Sequence, residues 1–173
     1  YEEYGPAVVD RLDGMFAFVI YDGRRQEIFA ARDRLGKKPF FYTIVGGAFH
    51  FSSELPSLQQ AHGWQGEVDL ESLEGYLSLG YVVAPATIFK NASKLMPAHW
   101  LRIANGRLET RQYWDVTEFD TDHRDDEALI DEIDQRLRAA VHCRLESEVP
   151  LGAFLSGGID SSAVVATMAQ VTG

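Results

Sequence analysis

Apolar positions follow two rhythms along this chain, and the change between them divides it. Up to about residue 114 they come in short runs broken by glycine turns. Met15 to Tyr21 is apolar at successive positions and rich in β-formers, which predicts a buried strand packed on both faces. Asp22-Gly23 marks a hairpin turn, with Gln26 to Ala31 returning. Pro39 to Val45 and Ala48 to Ser53 flank Gly46-Gly47 as a second hairpin, and residues 100–103 and 108–114 flank Asn105-Gly106 as a third. Between them lie helical patterns. Residues 6–12 read as a helix end stopped by Asp13-Gly14, and Glu54 to Gln60 as a short helix with Ser53-Glu54 at its start. Leu70, Leu73, Tyr76 and Leu77 recur at helical spacing between a capping Asp69 and a closing Gly80. Tyr81 to Pro97, with Pro85 and Pro97, reads as ordered loop.

Beyond residue 124 the rhythm becomes helical. Leu129, Ile130, Ile133, Leu137, Ala140, Val141 and Leu145 share one face of a helix over 125–145. Acidic residues open this helix and arginines close it, as the helix dipole favours. A short apolar run over 149–154 predicts a strand, and Ala163 to Ala169 predicts a second helix. The polar, acidic stretch 116–124 is the expected linker.

Between that strand and helix stand Leu155, Ser156, Gly157, Gly158, Ile159, Asp160, Ser161 and Ser162. Two adjacent glycines let a ligand approach the main chain with no Cβ in the way. A helix start presents unpaired N–H groups and the positive end of a dipole, a place suited to phosphate. The loop lacks the lysine of G-x-x-x-x-G-K-[ST], so it is not a Walker A loop. Asp160 beside phosphate would repel it unless a cation lay between, and Mg²⁺ held by a carboxylate and phosphate oxygens meets that need. The plainer roles are a glycine turn for the loop and a helix cap for Asp160.

Composition narrows the field. The 173 residues carry a formal net charge of −10 and are 46% hydrophobic, which supports a packed core and argues against a broad nucleic-acid surface. No apolar run has the roughly 18 residues needed to span a bilayer. Cys143 is the one cysteine, so an internal disulfide is excluded and a reducing, cytoplasmic setting is expected. At the end of an amphipathic helix Cys143 is expected to be small core filler. The five histidines show no metal spacing. Trp64, Trp100 and Trp114 are expected as core or interface aromatics. Arg32-Asp33 with Lys37 or Lys38 is expected to be a structural pair fixing a tight loop.

The run Ser156-Gly157-Gly158-Ile159-Asp160-Ser161 resembles the PP-loop, S-G-G-x-D-S, of ATP pyrophosphatases, whose members adenylate a carbonyl or carboxylate oxygen. Three further segments extend the likeness. Leu12-Asp13-Gly14-Met15-Phe16-Ala17-Phe18, Ala31-Arg32-Asp33-Arg34-Leu35-Gly36-Lys37-Lys38-Pro39-Phe40-Phe41-Tyr42 and Phe51-Ser52-Ser53-Glu54-Leu55 resemble, in order, motifs of the glutamine-hydrolysing asparagine synthetases. The run Pro85 to Lys90 followed by Lys94 to His99 is similar to members tied to surface-polysaccharide gene clusters.

The resemblance implies an α+β part followed by an α/β part. Residues 1–115 would be the C-terminal part of a class II glutaminase, an N-terminal-nucleophile sandwich of antiparallel sheets. Residues 116–124 would be the linker, and residues 125–173 the first helix, strand, loop and helix of a Rossmann-like, ATP-binding synthetase domain. The family's catalytic cysteine and glutamine-binding motifs lie upstream of Tyr1, so no glutaminase catalytic residue is carried over. The chain is expected to be a segment of a longer protein, since a doubly wound domain needs further strands and helices.

In the family the residue at Leu155 meets the adenine side of ATP. Ser156, Gly157, Gly158 and Ser161 would hold pyrophosphate oxygens, with the Ile159 N–H facing phosphate and Ser162 a further ATP-binding hydroxyl, and Asp160 would bind Mg²⁺. Ile159 would also plug the space between loop and sheet. The implied reaction is amidation of aspartate, or of another carboxylic acid, through an acyl-adenylate, with ammonia from glutamine. ATP and Mg²⁺ are the implied cofactors, and a homodimer is implied, with neither nucleic acid nor membrane as partner. Rival expectations are a β-lactam synthetase-like or lasso-peptide cyclase-like reaction on the same scaffold, or an inactive truncation.

Overall fold

A computed structural model describes residues 1–116 and 122–172, and the chain divides into two compact units, 1–117 and 118–173. Part of the expected linker, residues 117–121, lies outside the described residues.

The first unit holds seven strands in two antiparallel sheets. β1 (Ala17–Asp22), β2 (Glu27–Arg32), β6 (His99–Ala104) and β7 (Arg107–Gln112) form one sheet in the order β1-β2-β6-β7. β3 (Phe41–Val45), β4 (Ala48–Ser52) and the two-residue β5 (Ser93–Lys94) form the other, ordered β4-β3-β5. The period-two alternation of β-structure sorts the core into two layers. Phe16, Phe18, Ile20, Phe29, Ala31 and Trp100 face one side with Val9, from a 3₁₀ helix over Gly5–Arg11. Ala17, Val19, Ala30, Leu101 and Ile103 face the other, where they meet Tyr42 and Phe49 of the second sheet and Phe40 and Leu95, which flank its strands. Residues 15–21 are apolar on both faces because both faces are covered. The strand is nevertheless half-buried rather than buried: β1 is the sheet edge, and Met15 and Tyr21 are exposed. The innermost strand is β2, whose Phe29, Ala30 and Ala31 are at most 1% exposed.

Two hairpins form as their turn residues dictate. Gly46 and Gly47, and likewise Asn105 and Gly106, take positive φ, as two-residue turns between twisted strands require. The first hairpin differs. Asp22 pairs with Glu27 across four residues, the Asp22 carboxylate accepts the Arg24 and Arg25 N–H groups, and Gln26 has φ of 55°. The loop expected over 81–97 contains β5, which pairs with β3 across more than fifty residues of sequence. The short helix is α1 (Leu55–Leu58). Ser52, rather than the expected Ser53, accepts the Glu54 N–H at its start. α2 (Leu70–Leu79) starts after Asp69, whose carboxylate takes the Ser72 hydroxyl, and ends at left-handed Gly80.

The second unit contains α3 (Asp126–His142) and α4 (Ile159–Thr172), packed on each other with Val141 and Thr167 buried. Asp125 caps α3 by accepting the Ala128 N–H at 2.8 Å. The expected apolar face is only partly used, since Ile130 and Ile133 are exposed. No strand forms over 149–154. A strand needs a neighbour to take its N–H and C=O groups, and the described residues of this unit offer none. Val149, Leu151 and Phe154 are correspondingly exposed. Cys143 is exposed as well, so it is not core filler; its Sγ lies near Ala140 O and the Arg144 guanidinium. No described helix is long and apolar enough to cross a membrane.

Candidate functional site: the Ser156–Ser162 loop

α4 begins four residues earlier than the apolar pattern predicts, so Asp160, Ser161 and Ser162 lie in its first turn. Gly157 has φ of +83°, a conformation glycine adopts without steric cost. Gly157 thus reverses the chain just ahead of the first turn of α4.

The serines form a closed circuit. The Gly158 N–H donates to Ser156 Oγ at 3.4 Å, Ser156 Oγ lies 2.9 Å from Ser161 Oγ, and the Ser161 hydroxyl donates to Gly158 O at 3.1 Å. Ser162 donates to the same carbonyl twice, from Oγ at 2.8 Å and from N at 3.1 Å. The hydroxyls therefore hold the loop in shape, and each must rotate to reach a ligand. This circuit was not foreseen. Its only sequence signal is a serine five residues before another across a helix start.

The amides behave oppositely. Among the described residues, the N–H groups of Gly157, Ile159, Asp160 and Ser161 donate to no protein acceptor. They are neither consumed by neighbouring carbonyls nor turned into packed hydrocarbon. Oriented amides at the positive end of a fourteen-residue helix attract negative charge. A methyl at Gly158 would have Ser156 Oγ, 3.5 Å away, as its nearest neighbour, and at Gly157 nothing within 4 Å. Open space thus lies before both glycines.

Asp160 is exposed and its carboxylate accepts no hydrogen bond among the described residues. It does not cap its own helix. One free carboxylate beside free amides suits a hydrated divalent cation that also takes phosphate oxygens, because Mg²⁺ uses one or two carboxylates with substrate and water. No cluster of three acidic, histidine or cysteine residues occurs among the described residues, so a cage made only of protein ligands is not built there. Leu155 and Ile159 are 61% and 89% exposed. Ile159 is therefore no plug between loop and sheet, since the sheet it would seal is not formed.

The other sequence candidate, Arg32-Asp33, is not an ion pair. Arg32 donates to the carbonyls of Lys38, Leu95 and Gly36, each at 2.7 Å. Asp33 is 1% exposed and accepts the N–H groups of Leu35, Lys37 and Lys38. Burial pushes the Asp33 carboxyl up, but the main-chain N–H bonds from Lys38, Lys37 and Leu35 outweigh it and hold it below the usual range. The Tyr113 hydroxyl donates to Arg32 O at 2.7 Å, and burial pushes that phenol up to about 12. These residues fasten a loop.

Two known families map onto the chain. The glutamine amidotransferase domain matches residues 1–114, and asparagine synthase matches residues 132–173. An asparagine synthetase [glutamine-hydrolyzing] 3 of Bacillus subtilis is 41% identical over 171 residues, covering 98% of this chain and 28% of that protein. A putative asparagine synthetase [glutamine-hydrolyzing] 2 of Methanocaldococcus jannaschii is 38% identical, covering 99% of this chain and 34% of its own length. The amidase chyE of Penicillium rubens is 37% identical, covering 99% and 25%. The chain thus spans about a quarter to a third of the length of these relatives.

Proposed function

Because the chain belongs to the glutamine amidotransferase domain family and continues into an asparagine synthase segment, we propose that it is the domain-junction part of an ATP-dependent, glutamine-hydrolysing asparagine synthase. In this reading, ammonia released from glutamine amidates aspartate through an acyl-adenylate, and the Ser156–Ser162 loop receives the pyrophosphate. Leu155, exposed ahead of the loop, would meet the adenine. The 149–154 run would pair as a strand in a Rossmann-like sheet. A homodimer and a cytoplasmic setting belong to the same proposal.

The observation that supports it most directly is the set of free amides at Gly157, Ile159, Asp160 and Ser161. Attack of the substrate carboxylate on the α-phosphorus of ATP breaks the bond to the β-phosphate oxygen and sends negative charge onto the departing pyrophosphate. Donors already fixed where that charge develops stabilise the transition state without reorganisation. Mg²⁺ would add charge neutralisation, with Asp160 as its protein ligand. The serine circuit holds the amides in place before the nucleotide arrives. The acyl-adenylate so formed is a mixed anhydride, and ammonia displaces AMP from it. A dry site is needed at that point, because water would compete.

The test is Asp160→Ala in the full-length protein that carries this sequence. ATP–pyrophosphate exchange and aspartate-dependent AMP release should fall more than about 100-fold, as loss of several kcal/mol of charge stabilisation gives, while glutaminase activity persists. Unchanged ligation in that variant would remove Asp160 from the metal site. A second reading is amidation of another carboxylic acid, since one relative of similar identity carries a name other than asparagine synthetase. AMP release that depends on a different carboxylic acid, with none on aspartate, would select it.

A further inference from the structure

The first unit contains two adjoining cavities that the synthase reading does not use. One, of about 570 Å³, is lined mainly by apolar side chains, among them Leu55, Leu73 and Ile88. The other, of about 560 Å³, includes Arg32. The two share Phe41, Tyr81, Val82 and Lys94, so an apolar pouch and a cationic mouth meet at the Lys94 side chain.

Among the described residues, neither cation at this junction is paired with a carboxylate: neither Arg32 nor Lys94 makes a salt bridge, although the chain carries 26 acidic residues against 16 basic ones. Nearby Asp33 spends its oxygens on main-chain N–H groups. Arg32 has each of its three nitrogens tied to a carbonyl, so it contributes a fixed positive field rather than an open fork. Lys94 uses one of its three N–H donors, on Val82 O at 2.5 Å, and keeps two. Burial, and then the charge of Arg32, hold the Lys94 ammonium below the ordinary lysine range. An anion at Nζ would relieve both effects. One free ammonium backed by one committed guanidinium suits a single negative charge better than a phosphate dianion, and the pouch beside it suits a hydrophobic tail.

We propose that this junction is a binding site for a small amphipathic carboxylate, with its carboxylate on Lys94 Nζ in the field of Arg32 and its aromatic or aliphatic tail in the pouch lined by Leu55, Leu73 and Ile88. Apolar walls with a few convergent polar groups are the usual make-up of a small-molecule site. The site lies wholly within the first unit and does not depend on what the Ser156–Ser162 loop does.

Calorimetric titration of the full-length protein with 3-phenylpropionate, its neutral amide and propionate tests the idea. The carboxylate should bind about tenfold more tightly than the amide, since it replaces a neutral contact with a charge-assisted one. Propionate, without the tail, should bind more weakly than 3-phenylpropionate. Lys94→Met should bring carboxylate and amide within about twofold of each other, and Lys94→Arg should keep the preference. Equal binding of the carboxylate and amide by the unaltered protein would overturn the site, as would the absence of saturation up to about 10 mM. So would a carboxylate preference that survives in Lys94→Met. The first two outcomes need no variant, so they stand even if a substitution impairs folding.

Discussion

Two loops of this chain are made of the same parts and put them to opposite use. Residues 33–38 and residues 156–162 each combine an aspartate, a glycine at positive φ and a run of main-chain N–H groups. In the first, Asp33 is buried and accepts three of those N–H groups itself. In the second, Asp160 is exposed and, among the described residues, its carboxylate accepts nothing and four N–H groups remain open. A loop that satisfies its own amides is a fastening. A loop that leaves most of them open, and holds its shape largely through serine hydroxyls, has room for a ligand. The contrast rests on where hydrogen bonds end rather than on which residues are present.

The largest effect is expected at the closed loop. Asp33→Ala removes one acceptor that serves three N–H groups and should cost about 3 kcal/mol, read as a fall in the denaturation midpoint of the first unit. The acid side sharpens the point. The folded Asp33 carboxyl sits below its usual range, so its contribution is fully present above the unfolded value of about 3.9. That contribution fades as pH falls through the folded value. Asp33→Asn should flatten that acid limb. An unchanged limb would mean that the loop does not depend on the charge.

Gly36→Ala comes next. At φ of +62° an added Cβ would stand 2.8 Å from Pro97 Cγ and 3.1 Å from the Arg32 guanidinium. Left-handed backbone for a non-glycine residue costs roughly 1–2 kcal/mol, and forced overpacking about 1–3 more. A loss of about 2–3 kcal/mol in chemical denaturation is expected, the low end of the two costs together, because the crowding atoms belong to side chains that can shift. Wild-type stability would show that the loop opens without penalty.

The same distinction explains what could be read from residue order alone. Gly46-Gly47 and Asn105-Gly106 announced their hairpins because a positive φ is a local demand that few residues meet. The S-G-G-x-D-S run announced the open loop because the glycines and serines that shape it are neighbours. β5 was missed because Ser93 and Lys94 become a strand only by pairing with Phe41 and Tyr42, a partner no local pattern reveals. The 149–154 run forms no strand here for the converse reason: its apolar residues suit a strand, but pairing needs a neighbour, and the described residues of its unit offer none. Ile130 and Ile133 sit on the predicted helical face yet remain exposed, since periodicity says which residues align and not what covers them. The Lys94 junction was invisible, being assembled from β2, α1, α2, β5 and the segment after α2.

The smallest effect on stability, and the one that most directly divides the two loops, belongs to Gly158→Ala. Its new methyl would lie 3.5 Å from Ser156 Oγ, an ordinary contact, and would project into open space. An alanine at a helix start in place of glycine costs at most about 1 kcal/mol, so the melting temperature of the second unit should barely move. In the proposed pyrophosphate site the same methyl would stand in the way of an oxygen approaching the amides of Ile159 and Asp160. Pyrophosphate affinity of the full-length protein should therefore fall by more than about tenfold, the loss of roughly one charge-assisted hydrogen bond. Gly36→Ala should do the reverse, lowering stability and leaving pyrophosphate binding alone. If Gly158→Ala destabilised the fold as much as Gly36→Ala and left pyrophosphate binding intact, the loop at 156–162 would be a second fastening, and its open amides would have no guest.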